Sequence, residues 1–568
     1  MKKTDSVYVY VITLFFVPIM LTLLFMSTVS TSYVTWADEV FFLKDNALVN
    51  IIVSIVFTGL TVCISYLKPL KQFCKRINEN ERLFRILKTG LLALLLLITL
   101  MWVWSTRFSP FGDATWLHDA ADKYVQRNYD AFKNGWFNYL DMYPFQARTL
   151  LIFSFIDSIF GGYKLMVYET LNCVFTVLMV GALSDISRLM GADRATSVMV
   201  IIVSMLWAPT ILYNSFVYGN VPGLSLAVIA LDLWLHFFKR SKLITLILSA
   251  LVLALSVCFK SNFLIVALAM IVYSVFKGFS DKKTVKSLSA CLLLIVVILV
   301  VMVIPKKIIT VRSGEPLNEG MSMIGCIDMG LSESTAGPGW YTDDDKYAYQ
   351  AADFKKAGHE SICREDIKRR LDYFKSNKNA ATDFFIRKTA SQWNEPTYGS
   401  FWILRGSEKE ANAVINAFSS YRTYVKAVSI LDIFQLLIIL GCVFFILAFR
   451  EKEKALEALL LPMVFIGMFL FHIVWEAKSQ YAFLGIMFLL PVAVMGYTSL
   501  PEFIKGIGKK ENPESKDSGK YDKVLSVIKV LAVVLTVLLI VTVSLKGLNF
   551  GLIRDNYDFA EYLNENFG

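Results

Sequence analysis

In the stretch Phe108-Ser-Pro-Phe-Gly-Asp-Ala-Thr-Trp-Leu-His-Asp-Ala-Ala-Asp-Lys-Tyr124, three carboxylates and an imidazole fall close together. Carboxylates and imidazoles are the side chains that move protons near neutral pH or hold cations. The members are not equivalent. Asp113 follows Pro-Phe-Gly, a turn sequence that holds a side chain in one place. Asp119 and Asp122 stand three apart on a helix expected to start near Thr115, and they read as solvated or capping groups. His118 reads as a surface histidine. No His/Cys/Asp group with zinc-like spacing occurs along the chain, so neither a metal nor another cofactor is expected.

Three cations could answer a negative ligand. Lys260 sits in the otherwise apolar run Leu255-Ser-Val-Cys-Phe-Lys-Ser-Asn-Phe-Leu264. An unpaired cation at such a place is expensive unless an anion is near, or unless the side chain snorkels to water. Lys478, in Trp475-Glu-Ala-Lys478, follows an apolar run and has Glu476 and His472 close by. Arg148 opens the short apolar segment 147–160. Other charged groups read as structural. Asp232 and His236, four apart in a span, share a face and suit helix packing. Asp343-Asp-Asp345 lacks calcium-loop spacing and reads as a solvated turn. Cys326 and Cys363 could pair in an oxidising exterior or remain thiols.

The elements that must position these groups are membrane helices. Of the 568 residues, 56% are hydrophobic, and the mean hydropathy is +0.54. Apolar runs long enough to cross a bilayer recur throughout. The reading is an all-α polytopic membrane protein with thirteen spans: 7–29, 48–66, 85–105, 165–184, 196–212, 221–238, 243–258, 263–276, 287–304, 427–449, 456–474, 480–498 and 525–546. The net charge of +10 sits in short loops between spans, which orients helices and argues against nucleic acid as a partner. The Lys/Arg bias puts the N-terminus, the basic 67–88 loop, Lys239–Lys242, Lys277–Lys286, Arg450–Lys454 and the Lys-rich 501–524 on the cytoplasmic side. All these clusters fall inside only if 147–160 lies on the outer surface and does not cross. Two regions then face outward, 106–164 and 305–426, the second large enough for a helical subdomain. Segments 243–258 and 263–276 are short and should meet at Cys258–Asn262, below the outer surface. The chain divides into 1–84, 85–304, 305–426 and 427–568.

A Gly-Asp in the first large outside loop, Tyr143-Pro-Phe-Gln146 before a short amphipathic helix, and a lysine at the junction of two short helices resemble polyprenyl-phosphate-sugar-dependent glycosyltransferases of the GT-C fold. That superfamily holds the protein O-mannosyltransferases and the aminoarabinose transferase acting on lipid A. The pattern of seven core spans from 85–105, a large outside loop and further spans resembles it too, over about 85 to 500. Gly337-Pro-Gly-Trp-Tyr341, Asn394-Glu-Pro-Thr-Tyr398 and His472-Ile-Val-Trp-Glu-Ala-Lys-Ser-Gln-Tyr481 are similar to members from Gram-positive bacteria.

The resemblance implies a donor whose sugar is joined through phosphate to an isoprenoid held in the bilayer. The acceptor would be a cell-wall polysaccharide, a teichoic acid or a secreted protein on the outer face of the plasma membrane. It implies inverting displacement with Asp113 as general base. Lys260, Lys478 and Arg148 are the candidates for the donor phosphate. Tyr143, Gln146, Tyr218, Asn220, His472 and Glu476 are the candidates for substrate binding. Many relatives carry a second acidic residue in the next outside loop, which here reads Tyr213-Asn-Ser-Phe-Val-Tyr-Gly-Asn220, and this departure weighs against metal dependence. The rival reading is a transporter or lipid-linked-sugar flippase. It would need a polar path through the bundle and often has two related halves, and the sequence shows neither, with few charges within spans.

Overall fold

The computed structural model describes residues 3–34, 39–129, 139–314, 316–406, 421–449, 454–507 and 534. Ten helices in these residues are long and apolar enough to cross a membrane. Arg194–Leu206 and Pro209–Ser215, bent by 70°, make an eleventh if taken as one broken span. The expected thirteen differ from this in two further places. Leu243–Phe259 is apolar but short, and 525–546 falls outside the described residues except for position 534. Most of the Lys-rich 501–524 stretch and most of Arg450–Lys454 also lie outside them. The chain is an integral membrane protein with multiple spans.

Burial sorts the helices into layers. Ser479–Gly506 has 83% of its apolar window buried and forms the centre, whereas Ala47–Tyr66 has 11% and presents its side chains outward, as a lipid-facing helix must. Hydrogen bonds and ion pairs then sort the loops into two ends. At one end Asn78 bonds Asp193, Ser280 bonds Asp5 and Lys277 pairs with Glu457 at 3.0 Å. This end gathers the basic loops. The Asp113 turn lies at the other end, together with the connection between the expected spans 7–29 and 48–66. Ser30–Val34 and Val40–Lys44 form an antiparallel hairpin, Ser30 opposite Lys44 and Val34 opposite Val40.

Helix 147–160 stays at this second end. Its Arg148 bonds Ser261 at 2.8 Å, its Phe153 ring packs 5.0 Å from that of Tyr168, and its Asp157 reaches Lys164 at 3.5 Å. A helix of 14 residues spans roughly 21 Å, short of a bilayer core, and it folds back beside the start of the Lys164–Met190 helix. Four helices, Gly325–Leu331, Asp344–Ala351, Lys356–Ser376 and Lys378–Trp393, pack at the same end. They join the hairpin through Ser32 Oγ, which donates to the Ala390 carbonyl at 2.9 Å, and through Val40 N–H, which donates to Ala336 at 2.8 Å.

Candidate functional site

Asp113 is the first residue of the Asp113–Val125 helix and is exposed. Gly112 before it has φ 58° and ψ −134°, a conformation strained for any residue with a Cβ. A Cβ there would also stand 3.4 Å from Trp402. The Phe111 ring meets the same Trp402 edge-on at 4.8 Å. The turn read from Pro-Phe-Gly-Asp therefore starts the Asp113 helix beside an aromatic wall.

Helix Leu243–Phe259 ends at Lys260, which is extended (φ −148°, ψ 127°), and a 3-10 turn, Ser261–Phe263, leads into the next helix. The junction is tied down on both sides. Ser256 Oγ donates to the Gly223 carbonyl at 2.6 Å, and Thr149 Oγ1 donates to the Cys258 carbonyl at 2.9 Å. Lys260 is half-buried, with its ammonium 5.1 Å from the ring centre of Tyr218 and 5.0 Å from that of Tyr481. Among the described residues its ammonium makes no hydrogen bond and no ion pair, while its backbone N–H donates to the Ser256 carbonyl at 3.1 Å. Burial pulls its pKa down to about 8, while Asp113 and Glu476 act against that fall. Cation–π contact is a weak substitute for a counter-ion, on the order of 0.5–2 kcal/mol.

The surrounding groups hold each other. Gln146 Nε2 donates to the Tyr218 hydroxyl at 2.7 Å, and Tyr168 donates to the Tyr218 carbonyl at 2.6 Å. The Tyr481 hydroxyl donates to Glu476 Oε2 at 2.9 Å. Burial raises the Glu476 pKa, and Asp113 adds to the rise against the opposing charge of Lys478. Lys478 places its ammonium 3.9 Å from the centre of the Trp402 ring. Burial raises the Tyr143 phenol, with Asp113 and Glu476 adding to it. Asp113, Lys260, Glu476, Lys478, Tyr143, Gln146 and Tyr218 thus converge from five separate stretches of chain.

Three of the residues singled out from sequence support the site without facing it. Arg148 is buried and donates to the Phe145 carbonyl at 3.0 Å and to Ser261, so it braces the Lys260 junction. His472 is buried, donates from Nδ1 to the Met468 carbonyl at 2.8 Å and stacks on Tyr481 at 5.2 Å. Asn220 is fully buried, and neither atom of its amide has a hydrogen-bond partner among the described residues. His118 is a correction. It is buried, not on the surface, stacked on Phe153 at 4.2 Å with Nε2 2.9 Å from the Val217 carbonyl. Burial pulls its pKa down to about 4, so it packs as a neutral ring. Asp119 and Asp122 pair with Lys123 and Lys164. Sequence reasoning missed Trp402 and Lys388, which carry no local signal, and Tyr481, which lies inside a quoted stretch.

A second group of ionisable side chains lies in the four-helix insertion. Asp345, His359 and Cys363 offer ligand atoms all within 4.8 Å of one another, a juxtaposition that sequence spacing did not reveal. Asp345 is buried, not solvated as its run suggests. The donor set suits a metal by type, but its hydrogen bonding does not. Ser322 N–H donates to His359 Nδ1 at 2.9 Å, which leaves the ring proton on Nε2, where it is donated to Asp345 Oδ1 at 2.8 Å. A metal at Nε2 would need Nδ1 protonated against that N–H. Cys326 and Cys363 are both free thiols.

A family model described as "conserved hypothetical integral membrane protein" matches residues 5–499, and the chain belongs to that family. No curated protein matches it.

Proposed function

For a member of this family of integral membrane proteins, we propose a glycosyltransferase that moves a sugar from a polyprenyl-phosphate donor to an acceptor hydroxyl of the cell envelope. The observation that carries the reading is the Lys260 ammonium, which lies over two tyrosine faces with no ion-pair partner among the described residues, and whose charge is felt by the turn-held Asp113 and by Glu476. A lipid phosphate entering from the bilayer is the anion that such a cation suits. The isoprenoid stays between helices, so the sugar's anomeric carbon comes to the membrane surface. Asp113 takes the proton from the acceptor hydroxyl as its oxygen attacks that carbon. The bond from the anomeric carbon to phosphate oxygen breaks, and the leaving phosphate keeps the electron pair, stabilised by Lys260 and Lys478. One displacement inverts the centre. Tyr143, Tyr218 and Trp402 supply the flat apolar faces on which sugar rings pack.

The Lys/Arg bias puts the basic end in the cytoplasm and this site outside. A cysteine at Asp119 should then react with an impermeant thiol reagent in intact cells, and one at Lys75 only after lysis; the reverse pattern would turn the protein over. The reading itself is tested with purified protein, a panel of polyprenyl-phosphate sugars and envelope polymers, by following release of polyprenyl phosphate. Release that depends on acceptor supports transfer. No turnover with any donor, alongside flipping of the lipid in vesicles, would favour a flippase.

A further inference from the structure

The Trp475–Lys478 loop carries Glu476 and Lys478, and local contacts hold its two ends: Trp475 stacks on Phe471 at 4.7 Å and the Tyr481 N–H donates to the Lys478 carbonyl at 3.0 Å. A further anchor lies far away in the chain. Lys388, on the Lys378–Trp393 helix, is 2% exposed. Its ammonium donates to the carbonyls of Ile473 at 3.0 Å, Trp475 at 2.7 Å and Gly330. The first two belong to the C-terminal end of the Leu460–Val474 helix, the third to that of the Gly325–Leu331 helix. Helix ends leave their last carbonyls without partners and carry a partial negative charge. One buried cation therefore serves two helix ends and uses all three of its protons in doing so. The Gly337-Pro-Gly-Trp turn closes the same knot. Ala477 N–H donates to the Gly339 carbonyl at 2.7 Å, and Trp340 Nε1 donates to Ser391 Oγ at 2.9 Å. Burial pulls the Lys388 pKa down to about 7, and Glu476 is the charge that resists this.

We propose that Lys388 is the positioning residue of the site: it fixes the Trp475–Lys478 loop to the four-helix insertion so that Glu476 and Lys478 are presented to Lys260 and Asp113. It touches no substrate. Asp113 and Lys260 stand on other elements, so losing Lys388 should displace the second phosphate-binding lysine more than the base. The kinetic part of this inference rests on the transferase reading; the structural part does not.

The test uses the full-length protein in nanodiscs. Hydrogen exchange is followed in peptides covering 472–481 and 328–341, with the hairpin 30–44 and the 220–240 helix as controls. Lys388→Met should speed exchange in the first two regions about tenfold or more, the scale of losing one buried charge-assisted bond, and leave the controls unchanged. Lys388→Arg, which keeps the charge, should restore much of the protection. In the transfer assay Lys388→Met should raise donor KM several-fold and lower kcat as well, because Lys478 also stabilises the leaving phosphate. A general loss of folded protein would instead lower apparent kcat at constant KM. Should Lys388→Met not accumulate, Lys388→Gln removes the charge while keeping a polar side chain on the same helix, and it must give the same local exchange. Unchanged exchange at 472–481 in the variant that folds overturns the proposal. Faster exchange in a protein that transfers no sugar would leave Lys388 as the anchor and remove the transferase reading.

Discussion

Two groups of ionisable side chains sit at one end of this molecule, and they differ in what they leave unused. In the four-helix insertion, His359 gives its proton to Asp345, accepts one from the Ser322 backbone and has the Cys363 sulfur 3.4 Å away. Each polar atom of its ring has found a neighbour, so the group is closed. Around Lys260 four charged side chains gather, Lys260, Lys478, Asp113 and Glu476, and no ion pair among the described residues joins them. Lys260 rests on two tyrosine rings, Lys478 on a tryptophan, and Asp113 points from a helix start into the open. Capacity for hydrogen bonding and charge pairing remains there. Lys260 is half-buried and Asp113 exposed, so a charged ligand can reach both. Residue types alone would rank the first group as the site; bonding ranks the second.

The largest expected effect would break this contrast at its open side. Asp113→Asn should lower transfer by about 10²-fold or more, the usual scale for a general base. Folding should be retained, because the residue is exposed and the amide keeps the helix-start geometry. Near-normal turnover would remove Asp113 from the chemistry.

On the closed side, His359→Ala leaves the Ser322 N–H and the Asp345 carboxylate without their partner. A loss of about 1–3 kcal/mol in stability is expected, the cost of unsatisfied buried groups. Thermal unfolding should show it, with transfer per folded molecule unchanged. Lost transfer at full stability would make the insertion part of the site.

A smaller effect is a change with pH. Burial holds the Lys260 pKa near 8, below its ordinary 10.5. The ammonium that binds phosphate is therefore lost as pH rises through about 8 in the ligand-free protein. Donor KM should be level below that point and rise above it, by up to about tenfold. Because the unfolded chain keeps the proton until higher pH, this group's contribution to stability moves the other way, improving between about 8 and 10.5. Lys260→Arg should abolish the rise in KM. The smallest effect is an expected absence: zinc should shift the melting temperature by no more than about one degree, because His359 presents a proton where a metal needs a lone pair. A clear rise would reopen the insertion as a metal centre.

Much of this was legible in the sequence because it is local. Hydropathy located the spans, and Gly112 before Asp113 announced a turn that only glycine makes easily. An isolated lysine between two short helices marked their junction. What stayed hidden depends on chain segments meeting from afar. Lys388 looks like any lysine on a polar helix until two helix ends converge on its ammonium. Trp402 walls the Asp113 turn from far along the chain. His118 reads as a surface residue because its neighbours in sequence are charged, yet Phe153 and Val217 enclose it. The hairpin at 30–44 lies between the expected spans 7–29 and 48–66, where hydropathy marks no element.

The central claim is that the unpaired ammonium of Lys260 receives the donor's phosphate. The most direct measurement is equilibrium binding of a polyprenyl-phosphate sugar to purified wild type, Lys260→Ala and Lys260→Arg in nanodiscs, at a pH below 8 and without acceptor. The account predicts at least tenfold weaker binding for Lys260→Ala, about the worth of one charge-assisted contact, and partial recovery for Lys260→Arg. Equal affinity of Lys260→Ala and wild type would contradict it and place the donor elsewhere.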